Sequence, residues 1–321
     1  MEESEAKFKK ELESKKIINL GLLSALILGS IFLISFYTAR KINPKNDSGI
    51  VKKETNNPFI GTTIEGRGAI VWDIVNQEVL FEKNSNLSMP LASIAKVVMA
   101  LTAIDLVPQS TIIQINKEFL NEEGDSGLFV DEKWKLKDLI DFSLITSSND
   151  AATAIASITG LNINEADNLE IGRNEFIGRM NEIVSKMGLS QTNFKKESGL
   201  DTADGLSGAN SSAKDVAMLF EYVLKNHPEI LEATKYGNVN IRSLNEITHN
   251  AKNTNITIDK TAGIIASKTG FTEKSGGNLA IIIDPAIGRP VVIVVLGSSF
   301  DGRFSDVEIL SKKTLEYLLQ S

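Results

Sequence analysis

The sequence predicts an α/β fold of the α+β kind: a five-stranded antiparallel sheet flanked by helices, with an inserted helical lobe, preceded by one transmembrane helix. Three observations predict it. Runs rich in β-branched residues sit near both ends of residues 64–321, helical periodicity fills the stretch between them, and residues 17–37 carry no charge.

The uncharged run "IINLGLLSALILGSIFLISFY" covers 21 residues, Ile17 to Tyr37. A helix of that length spans the ~30 Å hydrocarbon core of a bilayer. A removable signal peptide would show a shorter apolar core and a small-x-small cleavage site, which the exit "SFYTARK" lacks. An uncleaved anchor is therefore expected. Five lysines precede it and five basic residues lie in 38–53, so charge bias alone does not orient it. The chain then divides into a tail at 1–16, the anchor at 17–37, a flexible polar stalk at 38–63 and one domain at 64–321.

In that domain "GAIVWDI" and "EVLFEK" flank a polar turn at Asn76-Gln77 and read as a hairpin. Toward the other end "GIIASKTGF", "NLAIIID" and "RPVVIVVLG" are β-branched runs separated by "TEKSGG" and "PAIG", the pattern of an antiparallel meander. Helical patterns cover Ser93–Leu106, Lys135–Ser157, Asn174–Met187 and Ala213–Lys225. Ser305-x-x-Glu308, ahead of Leu310 and Leu315, reads as a capping box opening a last helix.

Composition narrows the chemistry. A formal net charge of −7 argues against a nucleic-acid binder. The absence of cysteine excludes disulfides, thiol nucleophiles and Cys–zinc sites. His227 and His249 are the sole histidines, so a histidine-rich metal site is excluded and a Ser-His-Asp triad would need one of these two.

Three motifs carry chemistry. "PLASIAKVVMAL" holds Ser93 and Lys96 one helical turn apart, in a helix that is apolar on all sides. Burial disfavours an ammonium, and a neutral amine beside a hydroxyl is a base beside a nucleophile. Alone, S-x-x-K favours a serine cap followed by a lysine that snorkels to water, and it recurs at Ser4/Lys7 and Ser211/Lys214. "ITSSNDAATAIA" puts Ser147, Ser148, Asn149 and Asp150 between two apolar stretches, either a functional turn or a plain inter-helix loop with a cap. "ASKTGFT" places Lys268, Thr269 and Gly270 in a strand, where lysine and glycine are both depleted. A peptide could add to that strand, or the lysine could simply protect an exposed edge.

Taken in order, S-x-x-K, S-x-N and K-T-G resemble the motif set of penicillin-binding proteins and serine β-lactamases. The chain is most similar to the D-alanyl-D-alanine carboxypeptidase family, from about Gly68 to Leu319. "SSNDAATAIA", "FIGRMNEIVSKMGLSQTNFKKESGLD" and "SKTGFTEKSGGNLAIII" belong to that likeness.

The resemblance implies the penicillin-binding-protein/β-lactamase-like fold and a serine peptidase that needs no metal and no cofactor. Ser93 would be the nucleophile, Lys96 its base, and Ser147 a proton relay to the leaving amine. Asn149 would hold Lys96 and the substrate amide. Lys268, Thr269 and Gly270 would bind a stem peptide ending in D-Ala-D-Ala through its carboxylate. The N–H groups of Ser93 and Phe271 would form the oxyanion hole. Two lysines in one pocket are expected to keep Lys96 neutral while Lys268 stays charged.

Implied partners are peptidoglycan stem peptides and, as covalent inhibitors, β-lactams. The expected location is a bacterial cell membrane, single-pass, with a cytoplasmic N-terminus and an extracytoplasmic domain. Ser148 stands where the family usually has glycine, and Lys196-Glu197 where Asn-Pro is common, a change expected to touch nothing catalytic. No counterpart of the C-terminal β-rich domain of many family carboxypeptidases is expected in these residues. The same site could serve an endopeptidase cutting cross-links or a slow-turnover penicillin sensor. A β-lactamase is disfavoured because "FIGRMNEIVSKMGL" contains no E-x-x-L-N signature.

Overall fold

The computed structural model describes residues 57–124, 127–164 and 166–320. The expected tail at 1–16, the anchor at 17–37 and the stalk as far as residue 56 lie outside the described residues. Among the described residues, no helix is long and apolar enough to cross a membrane.

The expected hairpin and meander form one sheet. β1 (Gly68–Asp73) and β2 (Glu78–Lys83) come from one end of the domain, and β3 (Ile264–Thr272), β4 (Gly276–Ile283) and β5 (Val291–Ser298) from the other. Their order is β3-β4-β5-β1-β2, with every neighbour antiparallel. The first strand therefore closes against the last across most of the sequence, with Ile70 opposite Val294.

Alternation along the central strands splits the core into two. On β5, Val292, Val294 and Leu296 enter the larger core beneath the helical lobe, and Val291, Ile293 and Val295 enter a smaller one on the opposite face. A strand covered on both faces must be apolar at every position, which explains the unbroken "VVIVVL". The small core includes Phe59, which stacks on Phe81 with ring centroids 5.7 Å apart. Packing thus begins within the stretch expected as stalk, and the compact unit runs over Asn56–Ser321.

Helices α1 (Lys96–Leu106), α2 (Leu136–Thr146), α3 (Asn149–Gly160), α4 (Leu169–Lys186) and α5 (Ala213–Asn226) build the side bearing the larger core. α6 (Gly302–Leu318) covers the other face through Phe304, Val307 and Leu310. Two expectations change. The helical pattern at 135–157 is broken in two by Ser147, which adopts a left-handed φ of 63°. The last helix starts at Gly302, so Ser305 lies inside it and caps nothing.

Candidate active site

A single 3₁₀ turn, Ala92–Ala95, carries Ser93 and runs directly into α1 at Lys96. Ala92 has φ +50°, a conformation disfavoured for a side-chain-bearing residue, and the surroundings hold it. Asn278 Nδ2 on β4 donates to the carbonyls of Pro90 and Leu91 at 3.0 Å each. The strained turn leaves Ser93 partly exposed while its neighbours are buried.

Lys96 is fully buried, so it does not snorkel, and no cap hydrogen bond forms from a side chain at this helix start. Its Nζ lies 2.8 Å from Ser93 Oγ, 2.7 Å from Asn149 Oδ1 and 2.9 Å from the Ser198 carbonyl. The two oxygens at Asn149 and Ser198 can only accept. A neutral amine therefore gives its two protons to them and turns its lone pair toward the Ser93 hydroxyl. Burial lowers the Lys96 pKa to about 7, against the opposing pull of the Glu197 and Glu122 carboxylates.

The break between α2 and α3 places the second motif. Left-handed Ser147 turns the chain, and Ser148 caps α3, its Oγ accepting from Ala151 N at 3.0 Å. Neither Asn149 nor Asp150 is the cap. Ser148 itself has φ −56°, so serine costs no backbone strain at that position. Asn149 then opens α3 facing Lys96, and its Nδ2 donates to the Glu123 carbonyl at 2.7 Å. That second bond fixes which end of the amide meets the lysine.

β3 is an edge strand of the sheet, yet Lys268 is buried and is not a solvent-facing guard. Its Nζ donates to Ser147 Oγ and to the Thr269 carbonyl, both at 2.9 Å. Thr269 Oγ1 pairs with Thr254 Oγ1 at 2.5 Å. Gly270 lets this strand lie against the serine turn. A Cβ there would stand 2.8 Å from the Leu91 carbonyl oxygen and 3.2 Å from Ser93 N. Phe271 is exposed, its ring edge-on to Phe300 at 5.0 Å. Arg303 on α6 donates to the Gly270 carbonyl at 2.8 Å and lies 4.5 Å over the Phe300 ring.

The structure thus gathers Ser93, Lys96, Ser147, Asn149, Lys268, Thr269 and Gly270 around one turn, with Phe271 next on the same strand. One electrostatic expectation is corrected. The lowering expected of Lys96 falls on Lys268 as well: burial, then the charges of Lys96 and Arg303, push its pKa well below the usual lysine value.

A second correction concerns Glu197. It is wholly buried and accepts from Arg173 Nη2 at 2.8 Å, and its charge acts directly on Lys96. The departure from Asn-Pro in "FKKESGLD" was its only trace in the sequence. Arg173, Glu122, Ser198 and Asn278 gave no local signal. Neither histidine joins Ser93; His249 Nε2 is 2.6 Å from Glu132 Oε1, with Trp134 and Phe142 around its ring.

Comparison with known proteins places this geometry. The model of a family described as D-alanyl-D-alanine carboxypeptidase matches residues 51–299. The chain is 28% identical over 258 residues to D-alanyl-D-alanine carboxypeptidase DacF of Bacillus subtilis, covering 78% of this chain and 59% of that protein. It is 26% identical over 283 residues to a D-alanyl-D-alanine endopeptidase of Pseudomonas aeruginosa, covering 84% of this chain and 81% of that protein. Among solved structures, ampicillin-bound penicillin-binding protein D2 of Listeria monocytogenes superposes with a TM-score of 0.65 at 28% identity, covering 78% of this chain and 97% of that one.

Proposed function

The chain belongs to the D-alanyl-D-alanine carboxypeptidase family, and on that premise we propose that it is a serine-type D-Ala-D-Ala carboxypeptidase. It trims peptidoglycan stem peptides through an acyl-enzyme on Ser93. The observation that carries this reading is the 2.8 Å contact between Ser93 Oγ and a buried Lys96 whose pKa is lowered to about 7.

Neutral Lys96 takes the Ser93 proton as Oγ attacks the carbonyl between the two D-alanines. The oxyanion develops beside the Ser93 and Phe271 N–H groups, which stabilise it more than the ground-state carbonyl. Ser147, in contact with Lys268, passes a proton to the leaving amine and regains one from protonated Lys96, so D-alanine departs as the amine and Lys96 is again neutral. Lys268 and Thr269 receive the substrate carboxylate, and that anion favours the Lys268 ammonium. Water then hydrolyses the ester, with Lys96 again holding the proton in transit.

Endopeptidase cleavage of cross-links by the same residues is the second reading. It is favoured by the greater share of the Pseudomonas endopeptidase that the chain covers, 81% against 59% for DacF. In either case we place residues 17–37 in the cytoplasmic membrane and the domain outside it, where peptidoglycan lies.

Product analysis on purified muropeptides tests the choice. Free D-alanine from pentapeptides supports the carboxypeptidase; split dimers with no free D-alanine move the assignment to the endopeptidase. Uptake of a fluorescent penicillin that persists in Ser93→Ala removes both. Stable label on the wild-type protein without turnover of either substrate would make it a sensor.

A further inference from the structure

Two pairs of consecutive residues flank the site and share one cation. At Glu122-Glu123, the first residue's Oε1 accepts from Arg173 Nη2 at 2.9 Å, and the second's carbonyl accepts from Asn149 Nδ2 at 2.7 Å. At Glu197-Ser198 the pattern repeats. Glu197 accepts from Arg173 Nε at 3.0 Å and Nη2 at 2.8 Å, and the Ser198 carbonyl accepts from Lys96 Nζ at 2.9 Å. Thr153, one helical turn after Asn149 on α3, donates to Glu197 at 2.7 Å.

We propose that Arg173 is a positioning residue: by clamping the Glu122 and Glu197 carboxylates it fixes the Glu123 and Ser198 carbonyls that orient Asn149 and Lys96 toward Ser93. The proposal rests on reading Ser93 and Lys96 as nucleophile and base. Glu123 lies in a bend and Ser198 in a turn, so neither carbonyl's direction is set by a helix or a sheet ladder. A side-chain clamp must supply what the ladder does not. The guanidinium is suited to it, because its planar fork grips Glu197 through two N–H groups and bonds Glu122 from the same plane, a fixed geometry that an ammonium's three rotatable donors do not impose. Glu197 is fully buried, and the Arg173 guanidinium at 2.8 Å is its ion-pair partner.

The clamp also sets the charge facing Lys96. Glu197 and Glu122 favour its ammonium, and both carboxylates are paired, Glu197 with Arg173 and Glu122 with Arg173 and, at 3.7 Å, Lys196. Lys268 approaches from β3, itself facing Arg303 on α6. Removing the Glu197 charge therefore makes Lys96 lose its proton more readily. Losing the fork without losing the charge should disturb geometry and leave that proton equilibrium nearly as it was.

The test is the second-order rate of acylation by a fluorescent penicillin, measured on the full chain between about pH 5.5 and 9. Wild type, Arg173→Lys and Glu197→Gln are compared, with circular dichroism reading the fold. Arg173→Lys is expected to acylate about tenfold more slowly at pH 7, with the acid limb of its profile unmoved. Glu197→Gln is expected to shift that limb down by about one pH unit. A purely structural role would lower the folded fraction and shift no limb.

Two folded variants that label within about twofold of wild type, with the limb in place, overturn the proposal. If Glu197→Gln does not fold, Glu122→Gln takes its place. Its limb is expected lower by about half a unit, and an unmoved limb again overturns the proposal. Failure of the underlying reading looks different, because the wild-type protein would then carry no label on Ser93.

Discussion

Lys96 Nζ stands 2.8 Å from Ser93 Oγ with the lysine wholly buried and the serine partly exposed. The base is behind the nucleophile, walled off from water, and the hydroxyl alone faces an incoming substrate. That arrangement keeps the amine from being an ordinary, permanently protonated lysine.

Replacing the base should stop acylation and leave the fold intact. Lys96→Ala is expected to take up a fluorescent penicillin about 10³-fold more slowly, within the usual range for a positioned general base. Lys96→Arg should be as slow, since a guanidinium does not give up its proton near neutral pH. A rate within tenfold of wild type in either variant would remove Lys96 from the mechanism, by about 1.4 kcal/mol of arithmetic.

The acylation rate should rise with pH through about 7, as Lys96 passes to its neutral form. Stability carries the same signature. The folded pKa lies below the unfolded one of 10.5, so between about 7 and 10.5 the unfolded chain binds more protons at this site and stability gains as pH rises. Below the folded value both states hold the proton and the penalty for a buried ammonium is complete. Relative to Lys96→Met, wild type should gain roughly 1 kcal/mol per pH unit across that window in urea melts. A gap that is flat with pH would mean that Lys96 holds its proton throughout.

Lys268 should read the substrate's charge. Burial and the charges of Lys96 and Arg303 disfavour its ammonium, and a terminal carboxylate would favour it. Lys268→Gln is expected to lower kcat/KM about a hundredfold for a peptide ending in a free carboxylate, a charge-assisted bond's worth. For the same peptide as its C-terminal amide the loss should stay within about threefold. Equal losses for both peptides would place Lys268 elsewhere in the chemistry.

Gly270 should tolerate no side chain. An added methyl would meet the Leu91 carbonyl at 2.8 Å and Ser93 N at 3.2 Å, both backbone atoms that cannot rotate away. Gly270→Ala is expected to cost about 1–3 kcal/mol by overpacking. It should also slow acylation, because relief comes by moving the strand off the serine turn. An unchanged melting temperature with unchanged label uptake would show that the two backbones separate without cost.

Much of the fold was legible because local pattern carries it. The turn at Asn76-Gln77 and the β-branched runs after Gly263 are statements about neighbouring residues, and those strands form where the pattern puts them. Ser305-x-x-Glu308 misled, because α6 begins at Gly302, within a turn of Ser299, whose Oγ accepts from the Gly302 N–H. The same four-residue pattern is available inside a helix as at its start. At 135–157 the apolar period continues through both helices, and only the left-handed φ of Ser147 marks the break.

The sequence by itself determined which residues could form the site: Ser93 and Lys96 one turn apart, Ser147 and Asn149 between apolar stretches, Lys268-Thr269-Gly270 in a strand. Spacing along a helix or strand fixes which side chains share a face, whatever the rest of the chain does. Only the tertiary structure decided their chemistry. Whether Lys96 is a snorkelling cation or a base near neutrality depends on burial and on carboxylates more than a hundred residues away at Glu197 or nearer at Glu122. Whether Lys268 guards an edge or waits for an anion depends on its burial first, then on Lys96 and Arg303. Desolvation and Coulomb interaction act through space, and the order of residues does not record the distances on which they depend.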